Sequence, residues 1–169
     1  MDSWSRSMIL AEALKVFFKA LLAGYAGDGS GVKKEKFPDG RRIHTWEEGF
    51  FKVVDEWRVF PNSDWSMGNT TIFFKGNAVW GMSYGGCYPE AVIPFLKKAL
   101  AEAYKDENFN CGRGPIVYAG DIDGVSLVYL NTNNPACNNF LLFSGEEKIL
   151  KGCDSTILGF HKFFGMTLI

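Results

Sequence analysis

Hydrophobic and polar residues recur along the chain with two different periods, one typical of helices and one typical of strands. Over residues 8–23, charged side chains recur every three or four positions in an otherwise mostly apolar stretch, which predicts an amphipathic helix. Ser7 is placed to cap the start of this helix, and Gly24 suits the left-handed position that follows a helix end. Residues 94–105 have similar spacing, with Pro94 in the first turn, and predict a second helix.

From residue 43 to residue 84 the period falls to two, which is typical of β-strands with one buried face. The clearest strand covers residues 51–59, and Asp55 falls on its otherwise apolar face. A carboxylate there must be paired, hydrogen-bonded or protonated, because an unpaired buried charge costs several kcal/mol. We interpret Asp55 either as a structural carboxylate at a sheet edge or loop, or as a carboxylate in a pocket.

A hairpin is predicted between strands at residues 70–75 and 78–84, with its turn at Gly76-Asn77. One face of the second strand carries only small residues, so that another group could approach it closely. Three large side chains share the other face: Trp80, Met82 and Tyr84. That face is interpreted either as core or as the floor of a binding site.

Residues 116–161 form a second set of short strand-like segments. Within this set, residues 131–139 are polar and contain Pro135, which predicts a mobile loop. Glycines recur at similar spacings in the two strand sets, and each set follows a predicted helix. The sequence therefore predicts one α+β domain over residues 1–169, with a mostly antiparallel sheet, two helices on one face and two pseudo-repeated units that leave a cleft between them.

The composition is that of a soluble globular protein. The chain has 169 residues, of which 47% are hydrophobic and 22% charged, and this balance excludes intrinsic disorder. The net charge is −1, so the chain lacks the basic excess that nucleic-acid binding requires, and no nucleic-acid partner is expected. The basic residues between Lys33 and Arg42 are diluted by acidic ones and predict a solvated loop.

No stretch approaches 18 uninterrupted apolar residues, and charges interrupt the N-terminal apolar stretch, unlike the core of a signal peptide. We therefore expect no membrane partner and a cytoplasmic location. The glycine-rich segment at residues 24–31 lacks the preceding strand and following helix of a dinucleotide site, and also the Lys-Ser/Thr ending of a P-loop. No cofactor is predicted.

The histidines and cysteines are few and widely spaced. His44 and His161 are the only histidines, and neither is spaced with a cysteine pair as zinc ligands are, so no metal site is predicted. The four cysteines are interpreted as free thiols: Cys87, Cys111, Cys137 and Cys153. His161 is flanked by phenylalanines, which favours a satisfied core or edge histidine over a catalytic one.

The acidic residues offer few candidates for acid–base work. Glu146 and Glu147 are adjacent, so on a strand they point to opposite faces and cannot form a dyad. Asp121 and Asp123 lie among glycines, which is typical of a turn. No G-x-S-x-G elbow is present for a nucleophilic serine.

Several motifs together resemble an uncharacterised bacterial family, a domain of unknown function that occurs alone or behind an XRE-type helix-turn-helix domain. The resemblance runs from the first helix to the C-terminus and is carried by Tyr25-Ala26-Gly27, by Trp80-Gly81-Met82-Ser83-Tyr84-Gly85-Gly86, by Gly114-Pro115 and by Phe143-Ser144-Gly145-Glu146-Glu147-Lys148-Ile149. An acidic residue at the position of Asp55 belongs to the same pattern. The family implies a sensing or interaction module and supplies no catalytic residues.

The chain departs from that family in three places. It has no helix-turn-helix region, since Met1 to Ser7 is too short to hold one. Its tail has Gly165-Met166 where a pair of glycines is more typical. Residues 131–139 form a segment that elaborates on the family's pattern.

Three functions follow as hypotheses. The first is a small-molecule-binding or regulatory sensing module without catalysis. Its candidate ligand-binding residues are Tyr25, Asp55, Trp80, Met82, Tyr84 and Glu147. The second is a small hydrolase or isomerase that uses a carboxylate with a histidine. The third is a protein-interaction module, with a homodimer as the simplest case, anchored by aromatic residues near strand ends and in loops: Phe50, Phe60, Trp65 and Phe109.

Overall fold

The structure is a computed structural model that describes residues 4–27, 29–152 and 154–169. Within these residues, two helices and nine strands follow one another. They are α1 (Arg6–Ala23), β1 (Lys33–Lys36), β2 (Arg41–Glu48), β3 (Phe51–Val59), β4 (Trp65–Phe74), β5 (Asn77–Cys87), α2 (Ile93–Lys105), β6 (Val117–Ile122), β7 (Val125–Asn139), β8 (Leu142–Lys151) and β9 (Ile157–Thr167). Short 3-10 turns precede α2 and β6, at Glu90–Val92 and Asn110–Gly112.

All nine strands belong to one antiparallel sheet, in the order β1-β2-β3-β4-β5-β9-β8-β7-β6. Each helix is followed by a meander, and the two meanders meet edge to edge where β5 pairs with β9. The prediction of an α+β fold with a mostly antiparallel sheet is therefore confirmed.

The two helices pack side by side on one face of the sheet, which we call the inner face. Phe17 of α1 contacts both Trp80 of β5 and Tyr104 of α2, with ring centroids 5.2 and 5.9 Å apart. Phe95 of α2 contacts Tyr118 of β6 in the same way. The hydrophobic core fills this layer, and in the described part of the chain no helix covers the opposite, outer face.

The ends of α1 differ from the sequence prediction. Ser5, not Ser7, caps the helix, because its hydroxyl accepts a hydrogen bond from the Met8 backbone N–H. Gly24 has φ −83° and is not left-handed, and its N–H donates to the Ala20 carbonyl. The predicted start at residue 8 is therefore two residues late.

The central hairpin turn lies one residue earlier than predicted. Phe74 pairs with Asn77, so the two turn residues are Lys75 and Gly76 rather than Gly76 and Asn77. Both have positive φ, 48° and 82°, as a primed two-residue turn requires. Lysine tolerates this conformation less well than asparagine, which is why the sequence pointed to the wrong pair.

Two segments that were predicted as loops are strands. Residues 131–139 continue β7, with Asn133 opposite Gly145 and Asn138 opposite Phe143 around a bulge. In the basic segment, β1 pairs with β2, so that Lys34 lies opposite His44. Both segments are polar because much of each strand is exposed to solvent, and polarity alone therefore misled the prediction.

Neither helix in the described residues is long and apolar enough to cross a membrane. Cys87, Cys111 and Cys137 are free thiols, as predicted, while Cys153 lies outside the described residues.

Candidate functional site

Cross-strand pairing arranges a mostly polar set of residues in three adjacent rows on the inner face of the sheet. The first row is Lys34, His44, Asp55 and Thr70. The second row is Arg42, Trp57, Gly68 and Tyr84. The third row is Ser66, Gly86, His161 and Glu147. Paired residues share a face, so residues that are distant in sequence converge on one area.

A cleft of about 970 Å³ opens over this area. Its walls come from the segment after α1, from β1 to β5, from the start of α2 and from β9. Its volume is at the upper end of what small-molecule sites have. Buried titratable groups line this ligand-sized cleft, which makes it the candidate site.

The six predicted ligand-binding residues divide into two groups. Tyr25, Asp55 and Tyr84 line the cleft. Trp80 and Met82 do not, because α1 covers their part of the sheet and both are buried in the core. Glu147 is fully buried and touches the site only through the residues that it binds.

Asp55 accepts two hydrogen bonds at the floor of the cleft. The Tyr84 hydroxyl donates to its Oδ1 over 2.9 Å, and the Thr70 hydroxyl donates to the same oxygen over 2.8 Å. Burial raises the pKa of the Asp55 carboxyl, although both hydrogen bonds act to lower it. Asp55 thus lines the cleft while one of its oxygens is held by two internal hydrogen bonds, and its role as a ligand-binding carboxylate stays a prediction.

Glycine at position 68 makes the Tyr84–Asp55 hydrogen bond possible. The Tyr84 ring must cross β4 to reach Asp55 on β3, and it passes over Gly68. A Cβ at that position would lie 2.7 Å from the Tyr84 ring, closer than real contacts allow. Any side chain there would displace the ring from the floor of the cleft.

Beside Asp55, Arg113 forms a buried ion pair with Glu147. Its Nε donates to Glu147 Oε2 over 3.0 Å, and its Nη2 donates to Oε1. The Tyr129 hydroxyl also donates to Oε2, over 2.6 Å. Burial alone would raise the pKa of Glu147, but the attraction of Arg113 lowers it to about 2, so the pair is fully ionised.

The third guanidinium nitrogen of Arg113, Nη1, is not bonded to Glu147. Among the described residues, Nη1 makes no hydrogen bond, and Arg113 is one of the residues that line the cleft. The guanidinium carbon lies 5.5 Å from the centre of the Tyr84 ring. One face of this buried cation therefore meets a ligand-sized space.

His161 lies between Ser66 and Glu147. Its Nε2 is 3.3 Å from the Ser66 hydroxyl, and its Nδ1 is 3.5 Å from Glu147 Oε1. Burial lowers the pKa of His161, and the neighbouring carboxylate only partly offsets this. The order of serine, histidine and carboxylate is that of a hydrolytic triad.

At the other end of the cleft, His44 has an unsatisfied ring nitrogen. Its Nδ1 is buried without a hydrogen-bond partner, and its ring contacts the Trp57 ring edge to face at 4.8 Å between centroids. Burial lowers the pKa of His44 to about 4, and the nearby cations Lys34, Lys97 and Arg42 act in the same direction. The neutral form therefore dominates at pH 7.

Sequence reasoning missed Arg113 and the part that Ser66 and His161 play. Arg113 lies outside the helices and strands that the sequence predicts, and its only signal was the adjacent Gly114-Pro115 motif. Ser66 lies in β4 upstream of the strand predicted there. Glu147 was among the predicted ligand-binding residues, and it belongs to the motif at residues 143–149, whereas Asp55 was marked by its place on an apolar strand face.

The aromatic residues proposed for dimerisation behave differently from one another. Phe50, Phe60 and Trp65 are exposed, as that hypothesis requires. Phe109 is not, because its ring packs against Phe17 and three other core rings. A homodimer stays a prediction that rests on the first three residues.

Within residues 4–27, 29–152 and 154–169, no group of three His, Cys, Asp or Glu side chains is arranged to hold a metal ion. The chain matches no family model, no curated protein and no solved structure. The site therefore has to be interpreted from its own geometry.

Proposed function

We propose that the protein is a binding module that takes up a small organic molecule with a planar ring in the cleft and does not transform it. The observation that carries this proposal is the cleft of about 970 Å³, whose floor holds buried polar groups and whose walls are aromatic. The Trp57 and Tyr25 rings meet edge to face at 5.9 Å between centroids, and Tyr84 lies on the floor beside them.

The polar floor supports binding better than a purely structural role. A buried ion pair and a buried carboxyl contribute little to stability compared with apolar packing, and they are costly when incompletely satisfied. Arg113, whose Nη1 makes no hydrogen bond within the described residues, lines the cleft, and so does Asp55, so a ligand there can bond to both side chains. The aromatic walls supply contact area, and the polar groups set the orientation of the ligand.

The uncharged fluorescent dye N-phenyl-1-naphthylamine, which has two ring systems, tests this proposal. We expect it to bind the wild-type protein and to bind Trp57→Ala about tenfold more weakly, because stacking against one aromatic ring contributes about 1 kcal/mol or more. Dye fluorescence in a titration measures the dissociation constant.

The control is the same substitution on the outer face, Trp65→Ala, which should leave dye binding unchanged. Tyr25→Leu provides a second cleft variant if Trp57→Ala does not fold, as judged by circular dichroism. Equal loss of binding in the inner-face and outer-face variants, or no binding to the wild type, would overturn the proposal.

The alignment of Ser66, His161 and Glu147 favours a hydrolase as the second candidate function. Three features weigh against it. Both Glu147 oxygens already accept hydrogen bonds from other residues. The distance from Ser66 to His161 and the distance from His161 to Glu147 both exceed ordinary hydrogen-bond lengths. Ser66 also lies inside β4, between β3 and β5, where pairing occupies the backbone N–H groups that an oxyanion hole needs.

A fluorophosphonate probe, which labels activated serines, separates the two candidates. We expect no labelling of the wild-type protein under conditions that label chymotrypsin, because Ser66 lacks an oxyanion hole. In-gel fluorescence measures the labelling. Labelling that disappears in Ser66→Ala would instead assign a hydrolase activity to the cleft.

A further inference from the structure

Four basic side chains line one end of the cleft, which we call the basic end: Lys34, Arg42, His44 and Lys97. They come from three elements that the fold brings together. Lys34 on β1 lies opposite His44 on β2, and Arg42 is two residues before His44 on the same strand. Lys97 reaches in from α2 and lies 5.0 Å from the centre of the Tyr25 ring.

The charge of the basic end comes from Lys34, Arg42 and Lys97, because the lowered pKa of His44 leaves that ring neutral at pH 7. Among the described residues, no ion pair includes Lys34, Arg42 or Lys97. By contrast, Lys33 on β1 pairs with Glu35, and Lys52 on β3 pairs with Glu47. Unmatched like charges in a concave surface concentrate a positive potential, which attracts an anion.

Two further observations bear on this end. The Nδ1 atom of His44 is buried beside Gly24, so only the rest of the His44 ring can meet a ligand in the cleft. Burial and then Lys34 lower the pKa of Lys97, which shows that these two ammonium groups feel each other's charge. The carboxyl on the floor, Asp55, is engaged by Tyr84 and Thr70 and is in no ion pair among the described residues.

We propose that the ligand of the cleft is an organic anion, whose phosphate, sulfonate or carboxylate group is held by Lys34, Arg42, His44 and Lys97 while its ring contacts Trp57. This inference rests on the proposed binding function and specifies the class of ligand. The ring wall and the basic end adjoin, because His44 and Trp57 are in direct contact. A single small molecule can therefore occupy both.

Two dyes that differ only by a sulfonate test this inference. The anion 1-anilinonaphthalene-8-sulfonate should bind the wild-type protein about tenfold more tightly than uncharged N-phenyl-1-naphthylamine, because its sulfonate meets several cations at short range. In the double variant Lys34→Gln/Lys97→Gln, binding of the anionic dye should weaken about tenfold, and binding of the neutral dye should stay within about twofold.

The matched control is Lys33→Gln/Lys98→Gln, which removes the same charge from the same two elements one residue away. It should leave the affinity of both dyes nearly unchanged. Competition against the bound anionic dye by 2-naphthyl phosphate and by 2-naphthoate then distinguishes a phosphate ligand from a carboxylate ligand.

Each outcome has a definite meaning. If the anionic dye binds no tighter than the neutral one, or if both double variants weaken it equally, the basic end is not an anion site, although the cleft still binds ligands. If neither dye binds the wild-type protein, the proposed function itself fails. Weakening confined to the anionic dye and to the Lys34/Lys97 variant supports the inference.

Discussion

Replacing Glu147 by glutamine is expected to lower the free energy of unfolding by about 3–5 kcal/mol. Glu147 is fully buried and neutralises Arg113 through two hydrogen bonds. Glutamine has nearly the same shape but no charge, so the change leaves the Arg113 guanidinium in the interior without its counter-ion. Urea unfolding followed by tryptophan fluorescence measures the loss.

The neighbouring residue provides the control. Glu146 points to the outer face, where its side chain forms an ion pair with Lys148. Glu146→Gln should change stability by no more than about 0.5 kcal/mol, because exposed ion pairs contribute little. Similar losses in the two variants would show that Arg113 and Glu147 do not form the buried pair described above.

Replacing Trp80 by alanine should also cost about 3–5 kcal/mol. The side chain is fully buried and stacks on the Phe140 and Phe143 rings, at 5.1 and 5.5 Å between centroids. Its Nε1 donates to the Phe140 carbonyl over 2.9 Å, so the substitution removes a hydrogen bond as well as apolar contacts. Urea unfolding monitored by far-ultraviolet circular dichroism gives the change.

Trp65→Ala makes the same chemical change on the outer face. Trp65 is 59% exposed, and among the described residues its ring contacts only that of Phe160. Its replacement should cost about 1 kcal/mol or less. A loss at Trp65 as large as that at Trp80 would mean that the outer face is covered by another layer of protein in solution.

The sequence identified the buried carboxylates but not the groups that surround them. Asp55 interrupts an apolar strand face, and a charge at such a position has few physical explanations. The same rule cannot find Arg113, because it lies in an irregular segment without a period to interrupt. Its partner becomes evident only when β8 and the segment before β6 are folded together.

The side chains of the strand at 78–84 show the same limit. Alternation correctly placed Trp80, Met82 and Tyr84 on one face, but it could not say where along that face the helices end. Phe17 of α1 covers Trp80, whereas Tyr84 lies beyond the helix and meets the cleft. The period of the sequence predicts which side chains share one face of a strand. Tertiary packing then determines which of those side chains lie in the core and which line the site.

The basic end was missed for a similar reason. Lys34 and Arg42 were interpreted as residues of a solvated loop, since their neighbours in sequence are also charged. Pairing of β1 with β2 selects alternate residues of that run for the inner face and sends the others outward. Along the sequence, acidic residues are interspersed with these basic residues. On the inner face of the sheet, the basic residues lie together.

The seam between β5 and β9 also has a consequence for the order in which the chain folds. Within each unit the strands are joined by short turns, so their pairing closes only small loops. The seam joins residue 80 to residue 167, and such long-range pairing is slow because a large loop must be ordered first. Ser66 meets His161 across this seam, so the floor of the cleft is completed only when the two halves have docked.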